Sequence, residues 1–336
     1  MGPRTTMEPV MPSGRELREP APASAPAAPR IAYRAPGDAP DGDTLALLRF
    51  SSAPSPDDAR VFHVPFAPLG TPLDEIWRVE GPVSAMREGE LRWSRGGGWL
   101  FAAMEVREDA HGGPEQAAAH AYEALSRLVA ASAECHVQRI WNYLGAINRG
   151  EGDDERYKHF CTGRIRGMGD IFAQGFPAAT AIGHHASDGV LQVYLLATDR
   201  PGTRVENPRQ VSAWRYPRQY GRTPPSFARA TRLPADDVLA ISGTAAVVGH
   251  ASAHVGDIEA QLEETARNLD ALLETGGLPP GFDAKAPLKA YVRHPEHADA
   301  VRAFAAARWP EAPLLMVHGD ICRAELLVEI DGWRYR

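Results

Sequence analysis

The run "ICRAELLVEIDG" near the C-terminus sets a carboxylate inside an apolar strand. Leu326-Leu327-Val328-Glu329-Ile330 has the composition of a β-strand, where an ionised group is costly unless paired. A carboxylic acid with a reference pKa of about 4.3 stays protonated near neutral pH when burial or a neighbouring carboxylate disfavours its anion. Glu329 is therefore a candidate general acid. The plainer alternative is a glutamate that ends its strand and reaches solvent beside Asp331.

Other residues suit such a site. Gly243, in "ISGTAAVVG", lets a ligand approach the backbone closely, with Ser242 and Thr244 flanking it. Cys322 stands seven residues before Glu329, so on one unbroken strand the two would face opposite sides. A turn or bulge at Arg323-Ala324-Glu325 is needed for both to line one pocket; otherwise Cys322 is a small buried apolar residue. Two histidine pairs, His184-His185 and His250 with His254, lack a helical framework and an acidic third ligand, so no metal is expected there. The cluster "RGGGW" at 95–99 lacks the GK[ST] of a phosphate loop, and no Ser-His-Asp set is recognisable.

The elements that position these residues repeat. Strand "WLFAAMEV", a helix with Pro114 at its first position and a stripe of Ala118, Tyr122, Leu125 and Val129, strand "VQRIWNYLGAI", helix "DDERYKHFCTGRIRGM" and a hairpin-like pair "FPAATAIG" and "GVLQVYLLAT" make one copy. The second copy runs through strand "DVLAISGTAAVVG", a helix capped by Asp257 with Ile258, Leu262, Thr265, Leu269 and Leu272 on one face, strand "LKAYVRH", helix "EHADAVRAFAAARW", and the pair "APLLMVHGDI" and "ELLVEIDG". Gly276 or Gly277 ends its first helix. The expected fold class is α/β, two β-α-β-α-β-β modules packed together. The expected divisions are a disordered tail over 1–30, a first module over 31–199, and an inter-module segment with the second module over 200–336. Laying one copy on the other places Tyr194 on Glu329.

The bulk composition narrows the function. A chain of 336 residues with formal net charge -7 is not a nucleic-acid binder by charge. Cys135, Cys161 and Cys322 show no CxxC spacing, which fits a reducing, cytoplasmic setting. The N-terminal stretch lacks a continuous apolar segment, so neither export nor a membrane helix is expected.

The second copy resembles the RidA/YjgF family in element order and in "SGT" after its first strand. The whole of residues 31–336 resembles the chorismatase family, through "YLGAIN", "ERYKHFCTGR", "PRQVSAWRYPRQYGRTPPSFARA", "SGTA", "VGH" and "HGDICRAELLVEI" in that order. The resemblance implies a cofactor-free and metal-free enzyme acting on chorismate, with Glu329 protonating the methylene carbon of the enolpyruvyl ether. Branches with Ala at the positions of Gly243 and Cys322 look like simple hydrolases. Gly and Cys resemble the 3-hydroxybenzoate synthases; a third branch forms both 3- and 4-hydroxybenzoate. Chorismate carries two carboxylates, so Arg293 and Arg164 are candidate forks for them, with Tyr216, Tyr220 and Tyr157 as phenols that donate to a carboxylate or cover the ring. Arg293 has surface pairing with Glu296 or Asp299 as its alternative, and the tyrosines have ordinary loop packing. A RidA-like imine or enamine hydrolase and a non-catalytic ligand-binding regulator are the rival readings. Both a monomer and a trimer remain open.

Overall fold

The computed structural model describes residues 25–50, 57–173, 175–235 and 237–336. Of the tail expected over 1–30, residues 1–24 lie outside the described residues. Residues 25–30 run along the protein, where Trp99 Nε1 donates to Ala27 O and the Tyr335 hydroxyl to Pro29 O, each at 2.7 Å.

The described chain opens with β1 (Arg30–Arg34), β2 (Thr44–Arg49), β3 (Val61–His63), β4 (Ala67–Pro68) and β5 (Asp74–Arg78). All but β4 form a four-stranded sheet of order β1-β5-β2-β3. Sequence periodicity does not disclose this sheet, because strands this short, broken by Pro, Gly and Asp turns, carry too few alternations to read.

The first module then runs β6 (Ser84–Glu88), β7 (Leu91–Gly96), β8 (Trp99–Arg107), α1 (Pro114–Ala130), β9 (His136–Gly145), α2 (Arg156–Met168), β10 (Ala178–His184) and β11 (Val190–Thr198). After β12 (Thr203–Val205) and β13 (Ala230–Arg232), the second module repeats the plan. It runs β14 (Leu239–Thr244), a small hairpin of β15 (Val247–Val248) and β16 (Ala251–Ser252), α3 (Ile258–Thr275), β17 (Leu288–Val292), α4 (Ala298–Arg308), β18 (Leu314–His318), β19 (Asp320–Ile321) and β20 (Val328–Arg334). Each module centres on a seven-stranded sheet, of order β19-β10-β9-β11-β8-β7-β6 and β12-β13-β14-β20-β17-β18-β4. The edges are exchanged: β19 of the second module extends the first sheet, and β4 extends the second.

The helix signals hold. Pro114 opens α1, and Ala118, Tyr122, Leu125 and Val129 are buried. Ala260 N donates to the Asp257 carboxylate at 3.0 Å, capping α3. Two strand readings need correction. The pairs at 176–198 and 312–332 are not hairpins, since β9 lies between β10 and β11, and β17 lies between β18 and β20. Each linking segment crosses over a central strand, which is paired parallel on one side and antiparallel on the other. The long strand expected from residue 237 stops at Thr244, and its remainder folds into the β15–β16 hairpin.

The ladders also correct the superposition. Tyr143 pairs with Gln192 and Ile182, while Tyr291 pairs with Glu329 and Val317. Ile182 and Val317 each pair in addition with an exchanged edge strand. Glu329 therefore corresponds to Gln192, and Tyr194 to Asp331. The two-residue difference preserves which side of the sheet each faces, so alternation alone cannot detect it.

Helices cover the outer faces of both large sheets, and the inner faces meet in a central core with the four-stranded sheet. The rings of Trp141 and Tyr194 stack there with centroids 4.8 Å apart, beside Trp77, Phe101 and Trp333. Aromatic side chains of this size each bury about 150–250 Å², so this cluster ties the three sheets together.

Candidate active site

A cavity of about 330 Å³ opens where β10 meets β14, the segment before β13 and the start of β20. Short hydrogen bonds join the two sheets beneath it: Ala179 N to Ser242 Oγ at 2.9 Å and Gly243 N to Thr180 Oγ1 at 2.9 Å. Glu329, Cys322, Gly243, Arg164, Tyr157, Tyr216 and Tyr220 all line it.

Glu329 is 5% exposed and its carboxyl faces Gly243. A Cβ at Gly243 would overlap Oε1 of Glu329 and fall 2.7 Å from its Cδ, so the missing side chain makes the space for the carboxyl. Burial first, then the charge of Asp331, pushes the Glu329 carboxyl up to about 8, against opposing pulls from Arg139, Arg229 and Arg323. Asp331, two residues along the same face, accepts on Oδ2 from Thr180 Oγ1 (2.8 Å), Trp141 Nε1 (2.9 Å), Tyr291 OH (3.0 Å) and Arg139 Nη2 (3.2 Å). The strand thus carries two unlike carboxyls, one held by donors and one left without any in an apolar wall. This is the arrangement that separates a proton-bearing acid from a fixed anion.

Cys322 and Glu329 reach the same cavity because a turn follows β19. Leu326 N donates to Arg323 O at 3.1 Å, and the alternation is reset at 322–325. Burial pushes the Cys322 thiol up to about 12, so it meets the cavity as a neutral thiol.

Arg164 sits within α2, two turns or more from its first residue. α2 lies directly on α1 because Gly163 and Gly167 present no side chain: a Cβ there would fall 3.0 Å from Ala118 Cβ and 2.8 Å from Tyr122 Cβ. The close approach buries Arg164 to 3% exposure over the Tyr122 ring, with the guanidinium carbon 5.3 Å from its centroid, and leaves Nε and Nη2 without a hydrogen-bond partner. A buried guanidinium with two idle donors is matched by a carboxylate.

Arg293 is a correction. It does not line the cavity, and its guanidinium is spent on the protein: Nη1 on Asp320 (2.7 Å), Nε on Leu326 O (2.8 Å), and Nη2 on Ile321 O (2.8 Å), Arg323 O (3.0 Å) and Asn148 Oδ1 (3.1 Å). It clamps the turn that carries Cys322, with every one of its three nitrogens bonded to the protein.

Two arginines that the sequence reading passed over do line the cavity. Arg229 Nη2 donates to Tyr216 OH at 2.6 Å and to Val211 O at 2.9 Å. Arg323 lies over the Tyr220 ring, 4.0 Å from the centroid, and its Nη1 donates to His250 O at 2.8 Å. Both stand inside stretches already singled out, "PPSFARA" and "ICRAELLVEI". Nothing in a linear sequence shows that an arginine 100 residues from Glu329 shares its pocket. The tyrosines hold these arginines: Tyr216 and Tyr220 pack with centroids 5.2 Å apart. Tyr157 is buried and stacks on Phe160 at 6.2 Å, its phenol pushed well above the usual range by burial.

The chain has extended likenesses to known proteins. Residues 75–197 match the chorismatase FkbO/Hyg5-like N-terminal family. A 3-hydroxybenzoate synthase of Streptomyces hygroscopicus is 35% identical over 79% of this chain and 82% of its own. A chorismatase of Streptomyces rapamycinicus is 38% identical over 77% of this chain and 81% of its own. A chorismatase crystal structure superposes with a TM-score of 0.79 at 30% identity, covering 93% of this chain and 99% of the other. With sequence identity at this level across most of the described fold, and one global superposition joining both modules, the chain belongs to the chorismatase family.

Proposed function

We propose that this enzyme converts chorismate to 3-hydroxybenzoate and pyruvate without cofactor or metal. The observation that carries the reading is Glu329, a carboxyl buried against Gly243 in a cavity that also receives Arg164, Arg229 and Arg323; that burial pushes it up to about 8 and favours its acid form. Chorismate brings two carboxylates. Arg164 has idle donors for one, deep in the first module, and Arg229 and Arg323 face the other from the inter-module segment and the turn before β20. Three guanidinium groups also offset the repulsion that a dianion would otherwise meet near Asp331.

In the chemical step, Glu329 gives its proton to the methylene carbon of the enolpyruvyl ether, and the electron pair of the double bond forms the new C–H bond. The resulting oxocarbenium ion is captured by the neighbouring ring hydroxyl rather than by water. Capture returns the hydroxyl proton to Glu329 and restores the acid. The ring C–O bond of that hydroxyl then breaks, its oxygen taking the C–H proton lost from the carbon that bears the ether. The ring aromatises, and the hemiketal so formed collapses to 3-hydroxybenzoate and pyruvate. Chorismic acid has the composition of 3-hydroxybenzoic acid plus pyruvic acid, so no water is consumed overall. Capture by water would instead leave the dihydroxycyclohexadiene carboxylate.

Asp331 acts on this step through Glu329. Fixed by four donors two residues along the strand, it disfavours the ionisation of the acid. Gly243 and Cys322 shape the wall against which the intermediate collapses, and this pair favours the aromatised product. No helix among the described residues is long and apolar enough to cross a membrane, and the substrate read from the pocket is a small anion.

The test is incubation of the purified protein with chorismate, with neither metal nor nucleotide added, followed by chromatography of the products and an enzymatic pyruvate assay. Pyruvate with 3-hydroxybenzoate supports the reading. Pyruvate with the diene keeps the substrate and discards the product assignment; absence of both discards Glu329 as the acid and turns attention to imine substrates.

A further inference from the structure

A second cluster of chemically able side chains lies away from the cavity, on the outer part of the first module. Glu90 stands in the turn between β6 and β7, His111 in the loop before α1, and His120 on α1. One ligand atom from each lies within 4.8 Å of the others. His120 Nε2 is 2.9 Å from Glu90 Oε2 and His111 Nε2 is 3.8 Å from Glu90 Oε1, while the imidazoles stack with centroids 4.1 Å apart and 23° between their planes. None of the three lines the cavity.

Two imidazoles and a carboxylate whose ligand atoms lie within 4.8 Å of one another are a donor set for zinc and its borderline neighbours, and they leave an open position for water. A tetrahedral zinc ion with bonds of about 2.0–2.1 Å holds its donors roughly 3.4 Å apart, so the His120–Glu90 pair would open slightly and the other donors would draw in by up to about an ångström on binding. The side chains are between 23% and 40% exposed, which gives the ion a path from solvent.

We infer that Glu90, His111 and His120 form a binding site for a divalent transition metal, zinc being the fitting class, which pins the β6–β7 turn to the start of α1. Its role is structural. The hairpin needs such a pin more than other edges do, because every residue of β6 is exposed and little apolar burial holds it.

The experiment uses tag-free, chelator-treated full-length protein titrated with zinc sulfate against a chromophoric chelator, with thermal melting in parallel. One ion per chain should bind with a low-micromolar Kd, melting should move upward on loading, and affinity should fall as pH drops and the imidazoles take up protons. His111→Ala and His120→Ala should each weaken binding by about tenfold or more and abolish the melting shift, with metal-free melting unchanged. Pyruvate release from chorismate should be the same before and after loading. Absence of saturable binding, or binding undiminished in both variants, overturns the site.

Discussion

The Cα of Gly243 faces the carboxyl of Glu329 so closely that a methyl group there would overlap Oε1. The two residues come from adjacent antiparallel strands, and the register shift between Ile241 and Thr244 is what brings them together. A backbone irregularity in β14 thus makes room for the acid of β20.

Gly243→Ala should displace the Glu329 carboxyl rather than unfold the protein, because the overlapping atoms are the far end of a side chain facing a cavity. The expected result is a fall of at least about tenfold in 3-hydroxybenzoate formation with chorismate binding retained. Product chromatography and single-turnover rates check it. Unchanged rates and products would show that the acid works from another position.

Glu329→Gln should lower pyruvate release by about 10²–10⁴-fold while chorismate still binds. The wild-type rate should hold below pH 8 and decline above it, as the acid form is lost. Stability moves in the opposite sense to that of a paired carboxylate. With the folded-state pKa raised to about 8, the folded protein keeps a proton that the unfolded chain releases from about pH 4.5 upward. The glutamine variant should therefore gain stability relative to wild type as pH rises from about 4.5 to 8, with little difference below. Denaturant melts across that window measure it.

Asp331→Asn should move the alkaline limb of the rate profile to lower pH, since the charge that disfavours the Glu329 anion is removed. A simple packing defect would lower the rate at all pH values without moving the limb, so the profile of kcat/KM separates the two roles.

Cys322→Ala should divert product from 3-hydroxybenzoate toward the dihydroxy diene. Water adds at the pyruvyl carbon, so its oxygen leaves with pyruvate, and the diene, heavier than 3-hydroxybenzoate by the elements of water, is resolved by chromatography and mass spectrometry. Because the thiol is neutral, alkylating reagents should react slowly at pH 7. An unchanged product ratio would sever Cys322 from the outcome.

The two arginines first placed side by side should now part company. Arg164→Lys should raise KM for chorismate by about tenfold to a hundredfold with a near-normal melting temperature, since two idle donors are lost. Arg293→Lys should instead lower kcat and loosen the 321–326 turn, seen as faster amide exchange there, because five protein contacts depend on its fork.

Local chemistry was legible in the sequence wherever neighbours along the chain decide it. Apolar periodicity set the stripes of α1 and α3, Pro114 and Asp257 marked their starts, and a carboxylate in an apolar run marked Glu329. The need for a turn at 323–325 followed from strand alternation alone. Relations between strands were decided only in the tertiary structure. Which strand lies between β10 and β11, and that Gln192 rather than Tyr194 answers to Glu329, depend on pairing partners, and side-chain alternation is blind to a shift of two. The arginines divide for the same reason. A guanidinium has five donors, and whether they are spent on backbone carbonyls, as in Arg293, or left idle beside a cavity, as in Arg164, is set by what distant segments bring within 3 Å.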